Sequence, residues 1–226
     1  MLKIKEYSVI LNSTKLLKGI EAGGLESMLT CIGARTKSIK KGKVILFAGD
    51  KPEFVGIVLA GQLHIIREDY NGNRLLVTAI GAGGIFAEAL CCAGVSESPV
   101  TVIAAADSSI MLIDFSRILR TCSNSCSFHG KLIENLLGLT AEKNLLLQSR
   151  IEILSMKSVR EKVMCYLESF IPKQGVNITI PFNREEMAVF LNVDRSALSH
   201  ELAKMKRDGL IDYRKNLFVI KQTVFL

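Results

Sequence analysis

The stretch that most narrows what this chain can fold into is NREEMAVFLNVDRSALSHELAKMKRDGLI, from Asn183 to Ile211. It demands two helices joined by almost no connecting chain. Asn183 has the short polar side chain of a helix cap, and Glu186, three positions on, can return the bond to the Asn183 backbone. Met187, Phe190 and Leu191 supply the apolar stripe of a short first helix. Asn192 follows, a residue that tolerates the left-handed backbone a sharp turn needs. Asp194 caps a second helix and Gly209 ends it. Leu198, Leu202 and Met205 recur at i, i+4 and i+7, which places them on one buried stripe. Ser196, His200, Ala203 and Arg207 then point the opposite way, with Arg195 and Ser199 on the flank of the first turns.

That outward face is small, polar and basic. A helix entering a DNA major groove wants such a surface, because bulk blocks entry and hydrogen-bonding groups must reach base edges. A helical hairpin with a solvated basic face has the same spacing, so the residues that follow matter. Leu210 to Tyr213, then Arg214-Lys215-Asn216, then Leu217 to Ile220 read as a β-hairpin with a basic tip. A hairpin directly after a recognition-type helix is the wing of a winged helix, and Arg214 and Lys215 would meet a phosphate backbone there.

Charge agrees with this placement. The 226 residues carry a net charge of +7. Residues 1–156 hold 17 Lys+Arg against 14 Asp+Glu, or +3, whereas residues 157–226 hold 12 against 8, or +4, on a much shorter stretch. Nucleic acid is therefore a better partner than a membrane surface. Lys3, Lys5 and Glu6 interrupt the N-terminal apolar run, so no signal peptide is expected, and no apolar run reaches the length of a membrane span. A cytoplasmic protein with reduced cysteines follows. Cys31, Cys91, Cys92, Cys122, Cys126 and Cys165 match no cluster or zinc spacing, so they read as buried free thiols, with no metal ligands among them.

Taken in order, residues 1 to about 35 read as helical, with Gly23-Gly24 as a break. From Thr36 to Phe115 short β-rich runs alternate with glycine-bearing turns: Lys43–Phe47, Val55–Leu59, Leu63–Ile66, Leu75–Val77, Val100–Ile103 and Ile110–Ile113, with Asn71-Gly72-Asn73 as a hairpin turn. Many short strands at regular spacing imply an antiparallel barrel. Phe128 to Leu154 reads as one long helix. Ile133, Leu137, Thr140, Asn144, Leu147, Ile151 and Leu154 alternate in steps of four and three, a dimerisation seam with Asn144 as its polar interruption. Ser155 to Lys157 would be a hinge, and Ser158 to Phe170 opens the last domain with another amphipathic helix. The expected organisation is α+β: an N-terminal antiparallel β-barrel (1–127), a long dimerisation helix with hinge (128–156) and a C-terminal winged helix-turn-helix (157–226).

A β-barrel, a dimer helix and a winged helix-turn-helix in this order resemble the Crp/Fnr superfamily of bacterial transcription regulators. Gly42 to Gly61 with its Gly49-Asp50 turn, Gly81-Ala82-Gly83-Gly84-Ile85-Phe86-Ala87-Glu88, and Asn183 to Ile211 carry the resemblance. It implies a cyclic-nucleotide-binding-like barrel of the double-stranded β-helix type and a homodimer on a palindromic duplex operator. It also implies DNA contacts from Arg195, Ser196, Ser199 and His200, to which the outward helix face adds Arg207 and the hairpin tip adds Arg214 and Lys215, and it admits RNA polymerase as a further partner. Members often carry Arg where His200 stands, so base preference here should differ: neutral imidazole cannot make the bidentate guanine contact.

Members that bind cyclic AMP have Gly-Glu-Leu at a short helix and Arg-Ser or Arg-Thr about ten residues on. Here Ala87-Glu88-Ala89 keeps only the Glu, and Ser98-Pro99 stands where the Arg is expected. A phosphate would lack its charge-assisted partner. The resemblance thus implies a small-molecule effector other than cyclic AMP, beside Phe86, Ala87, Glu88, Ser98, Pro99 and Val100, of unknown identity; any cofactor is likewise unknown. Alternatives are a redox- or haem-linked sensor of the same family, with His64, His129 or a Cys as axial ligand, and a cyclic-nucleotide-binding module acting on a protein partner. A cupin-like enzyme would need clustered histidines on the barrel strands, where His64 stands alone, so no catalytic residues are expected.

Overall fold

The computed structural model describes residues 4–20, 22–120 and 127–223. They form two compact units whose boundary falls between Glu142 and Lys143. In the first, short 3-10 turns at Ile4–Tyr7 and Lys15–Leu17 flank α1 (Ser8–Ser13), and α2 (Ala22–Cys31) follows. Then come β1 (Arg35–Ile39), β2 (Val44–Leu46), β3 (Phe54–Ala60), β4 (Gln62–Glu68), β5 (Arg74–Gly81) and β6 (Ile85–Phe86). The short helix α3 (Glu88–Cys92), β7 (Thr101–Ala104), β8 (Ser108–Asp114) and α4 (Phe115–Leu119) complete this part. The strands pair antiparallel into two four-stranded sheets, β1-β8-β3-β6 and β2-β7-β4-β5.

β3 shows how residue order builds the layers. Successive side chains point to opposite faces of a strand. Val55, Ile57 and Leu59 pack with Met111 and Ile113 of β8 against helical Leu11, Leu29, Leu132 and Leu136. Val58 points the other way, into a second core with Ile39, Leu63, Phe86, Val102 and Ile110 drawn from both sheets. Both faces of β3 are buried, which is why its sequence is an unbroken apolar run. Gly56 is needed inside that core: a Cβ there would fall 2.1 Å from Cζ of Phe86, whose ring occupies the space and meets Phe54 edge-on at 6.2 Å.

Two expectations need correction. Gly23-Gly24 is not a break, since both glycines lie in the first turn of α2. The absent side chain of Gly24 instead makes room for the Phe128 ring, 2.3 Å from where a Cβ would stand. The cysteines are also less uniformly buried than expected. Cys91 is buried, Cys31 and Cys165 are half-buried and Cys92 is exposed; Cys122 and Cys126 lie outside the described residues. The Asn71-Gly72-Asn73 hairpin turn is present. The Asp69 carboxylate accepts from the Asn71 and Asn73 amides at 2.8 and 2.9 Å and from Asn73 Nδ2 at 2.9 Å, and these bonds, the Asn73 side chain first, hold its pKa below the usual aspartate value.

The long helix α5 (Ser127–Ser155) runs through the boundary between the units. Leu132, Leu136 and Leu139 belong to the core of the first unit and Ile153 to that of the second. Along the expected seam, Leu137, Leu147 and Ile151 are 68%, 61% and 64% exposed, whereas Thr140 and Leu154 are half-buried. The second unit continues with α6 (Val159–Glu168), α7 (Ile171–Gln174), β9 (Asn177–Thr179), α8 (Arg184–Leu191), α9 (Arg195–Arg207), β10 (Ile211–Arg214) and β11 (Leu217–Ile220). β9 joins β10 and β11 in a three-stranded sheet, order β10-β11-β9, a strand the sequence does not announce. Among the described residues no helix is long and apolar enough to cross a membrane.

Candidate nucleic-acid interface and sensor corner

α8 starts as its sequence requires. Asn183 Oδ1 accepts from the Glu185 and Glu186 amides at 2.9 and 3.0 Å, and Glu186 Oε2 accepts from the Asn183 amide at 2.8 Å. At its end Asn192 is left-handed, φ 51°. The Asn192 and Val193 amides then donate back to Val189 and Ala188 carbonyls at 3.2 and 3.0 Å, so the turn leaves few orphan carbonyls. Asp194 caps α9 through the Ser196 and Ala197 amides. Its pKa is depressed, chiefly by the hydrogen bond from the Ser196 hydroxyl and then by those amides. Gly209, φ 76°, closes the helix: its amide meets the Lys206 carbonyl, and the Leu210 amide reaches Met205 at 3.0 Å.

Leu198, Leu202 and Met205 are fully buried. Arg195, Ser196, Ser199, His200 and Arg207 are exposed on the remaining face, and so are Arg214 and Lys215 on the hairpin between β10 and β11. Both serine hydroxyls donate locally, Ser196 Oγ to Asp194 Oδ1 at 2.5 Å and Ser199 Oγ to the Arg195 carbonyl at 2.9 Å. They face outward as acceptors unless those bonds are exchanged. Arg195 stands 3.9 Å from Glu185 across the turn, both side chains well exposed.

Two arginines that sequence reasoning passed over shape this surface. Arg160 of α6 bonds Glu201 of α9 and Asp208 at its C-terminal cap, each at 2.6 Å, which ties the outer helix to α6 at two points about two turns apart. Arg184 lies against the hairpin, its guanidinium carbon 5.1 and 5.2 Å from the Tyr213 and Phe218 ring centres. Their partners are 29 to 48 positions distant, so no local periodicity signals them.

In the first unit the structure brings Phe86, Ala87 and Glu88 together at the start of α3. Phe86 and Glu88 are buried, and Ala87 is left-handed with φ 64°. The backbone here thus keeps the conformation that favours glycine even though the glycine is gone. Ser98 is buried, and its hydroxyl donates to the Val100 carbonyl at 2.7 Å and accepts from the Val100 amide; Pro99 is exposed. A cavity of about 500 Å³ lies elsewhere, lined by Arg35, Phe54, Cys91, Val95, Leu112 and Asp114 among others, and none of the six corner residues lines it. Burial pushes the Cys91 thiol up to about 12, with the charge on Glu88 a lesser contributor, so it is not a thiolate. His129 is buried and its Nε2 lies 3.2 Å from the Arg117 carbonyl. Among the described residues no group of three or more His, Cys, Asp or Glu is arranged to hold a metal ion.

Comparison with known proteins follows the same division. The family model "Cyclic nucleotide-binding domain" matches residues 36–125, and "Crp-like helix-turn-helix domain" matches residues 160–223. The chain belongs to the Crp/Fnr superfamily of transcription regulators. Relatives include the cyclic AMP receptor protein of Thermus thermophilus, 19% identical over 189 residues (82% of this chain, 83% of that one). Another is the transcriptional activator protein FnrL of Cereibacter sphaeroides, 21% identical over 185 residues (77% and 71%). The crystal structure of the Thermus thermophilus catabolite activator protein shares the fold, with a TM-score of 0.54 at 18% identity over 92% of this chain and 94% of that one. Crp/Fnr regulators bind DNA and typically act as dimers.

The left-handed turn at Asn192 makes a direct test of the α8–α9 geometry. Asn192 is exposed, so its replacement changes little but the backbone. Asn192→Ala should destabilise the second unit by about 1 kcal/mol in urea unfolding, whereas Asn192→Gly should be close to neutral.

Proposed function

We propose that this Crp/Fnr member is a homodimeric regulator that reads a palindromic operator with α9 and steadies itself with the wing. The observation that carries the reading is the exposed set Arg195, Ser196, Ser199, His200 and Arg207 on a helix whose other face is fully buried, with basic Arg214 and Lys215 next in the chain. Ser196 and His200 would address base edges, and Arg214 and Lys215 phosphates. Residues 1–127 would serve as effector sensor, 128–156 as dimerisation helix and hinge, and 157–226 as DNA-binding domain, in a cytoplasmic protein that works with RNA polymerase. An unbiased duplex selection should enrich one near-palindromic motif. Ser196→Ala or His200→Ala should relax preference at particular base pairs, while Arg214→Ala or Lys215→Ala should weaken all sequences alike and lower the salt slope by about one unit each. A selection that enriches no motif overturns base-specific reading.

The dimer reading rests on the exposed stripe of α5. Two copies would bury Leu137, Leu147 and Ile151 along a left-handed seam, with Asn144 specifying register. Leu147→Lys with Ile151→Lys would bury charge there. Sedimentation should show a wild-type dimer at micromolar concentration and a monomeric variant that binds DNA weakly; a monomeric wild type overturns the reading.

The effector of the sensor unit is proposed to be a small molecule other than cyclic AMP, at the Phe86–Glu88 and Ser98–Val100 corner. Glu88 is buried there, and the matching segment offers no guanidinium to balance a phosphate, so a cationic or hydroxyl-bearing ligand suits it better. A ligand biases the DNA-bound state only by its difference in affinity for two states. Calorimetry with cyclic AMP and cyclic GMP should show no low-micromolar binding. Such binding, lost in Glu88→Ala, contradicts the reading.

A further inference from the structure

Arg184 is the first residue of α8, directly after the Asn183 cap. It does not extend into solvent as a first-turn arginine usually does. Its guanidinium is half-buried over the Tyr213 and Phe218 rings, which stack on each other at 5.7 Å. Nη2 donates to the Lys215 carbonyl at 3.1 Å, and Nη1 contacts the Met187 sulfur at 3.6 Å. Burial pulls its pKa below the usual arginine value. A cation taken half out of water is held there by its partners: the broad guanidinium stands close to both ring centres and still reaches a carbonyl.

The carbonyl it holds belongs to an unusual residue. Lys215 is left-handed, φ 54°, although it carries a Cβ. The next carbonyl, of Asn216, accepts from the Ile180 amide at 3.0 Å. Both carbonyls of the two-residue turn are therefore tied to the segment Ile180 to Arg184 that leads into α8. The turn points Arg214 and Lys215 outward, and the same segment starts the helix-turn-helix.

We infer that Arg184 is a positioning residue that sets the wing: by bracing the Lys215 turn it aims Arg214 and Lys215 and couples the wing rigidly to α8. This rests on the DNA-binding reading above. Lysine keeps the charge at this position, but its single ammonium cannot approach both rings and reach the Lys215 carbonyl at once as the broad guanidinium does. Arg184→Lys therefore separates bracing from a direct phosphate contact by Arg184 itself.

The test uses the full chain and a random-sequence duplex of about 30 base pairs, with Kd followed against salt. Arg184→Lys should weaken binding about tenfold and lower the salt slope by close to two, because Arg214 and Lys215 lose their aim although no charge is removed. In an Arg214→Ala/Lys215→Ala background the same substitution should change Kd less than about twofold. Wild-type binding by Arg184→Lys, or an equal loss in both backgrounds, overturns the inference; the latter marks an independent phosphate contact. Amide shifts in Arg184→Lys should be confined to residues around Lys215 and Asn216, and changes spread along α9 would also overturn it. If the wild-type chain binds no duplex, the DNA reading fails, while the confined amide shifts still test the brace.

Discussion

Burial of Leu198, Leu202 and Met205 decides the character of the second unit. Each is fully enclosed, and enclosing such a side chain stabilises by about 1.5–3 kcal/mol. Rotating α9 to present another face would expose all three at once. Nothing available on the outer face competes with that: an exposed ion pair contributes about 0–1 kcal/mol, and a helix cap about 1 kcal/mol. The outward presentation of Ser196, His200 and Arg207 is thus a consequence of core packing. The weaker terms refine it, with Asp194 and Asn192 setting where α9 begins and Arg160 tying it at Glu201 and Asp208.

The first unit follows the same logic with a different outcome. Its interior core takes residues from both sheets, and Phe86 reaches across to the face of Gly56. The left-handed Ala87 then turns the chain into α3, which buries Glu88. Much of this corner is occupied by the protein's own groups, and the Ser98 hydroxyl is spent on Val100. An effector that acts here must exchange those interactions for its own, which ties occupancy to a rearrangement of the corner.

The recognition elements were legible because their signals are local. Caps sit three residues from their partners, the buried stripe repeats every three to four residues, and the wing follows within ten positions. The strands of the roll were legible for the same reason, through alternation and glycine-marked turns. β6 is two residues long, and β9 is a three-residue edge strand with one buried side chain, Ile178, so neither carries a readable period. A glycine pair such as Gly23-Gly24 signals a break by its local chemistry alone, whereas Gly24 answers to Phe128 more than a hundred positions away. Arg160 and Arg184 failed to stand out for that reason too: an arginine on a helix looks solvated until its distant partners are placed.

The claim that α9 is displayed for groove reading, twice per dimer, is tested most directly by methylation-interference footprinting on the duplex recovered by selection. Two interference patches in successive major grooves, about one helical turn apart on one face of the DNA, are the predicted result. Both should vanish when Leu147 and Ile151 are replaced by lysine. A single patch, or protection that follows the backbone without touching major-groove guanines, would contradict it.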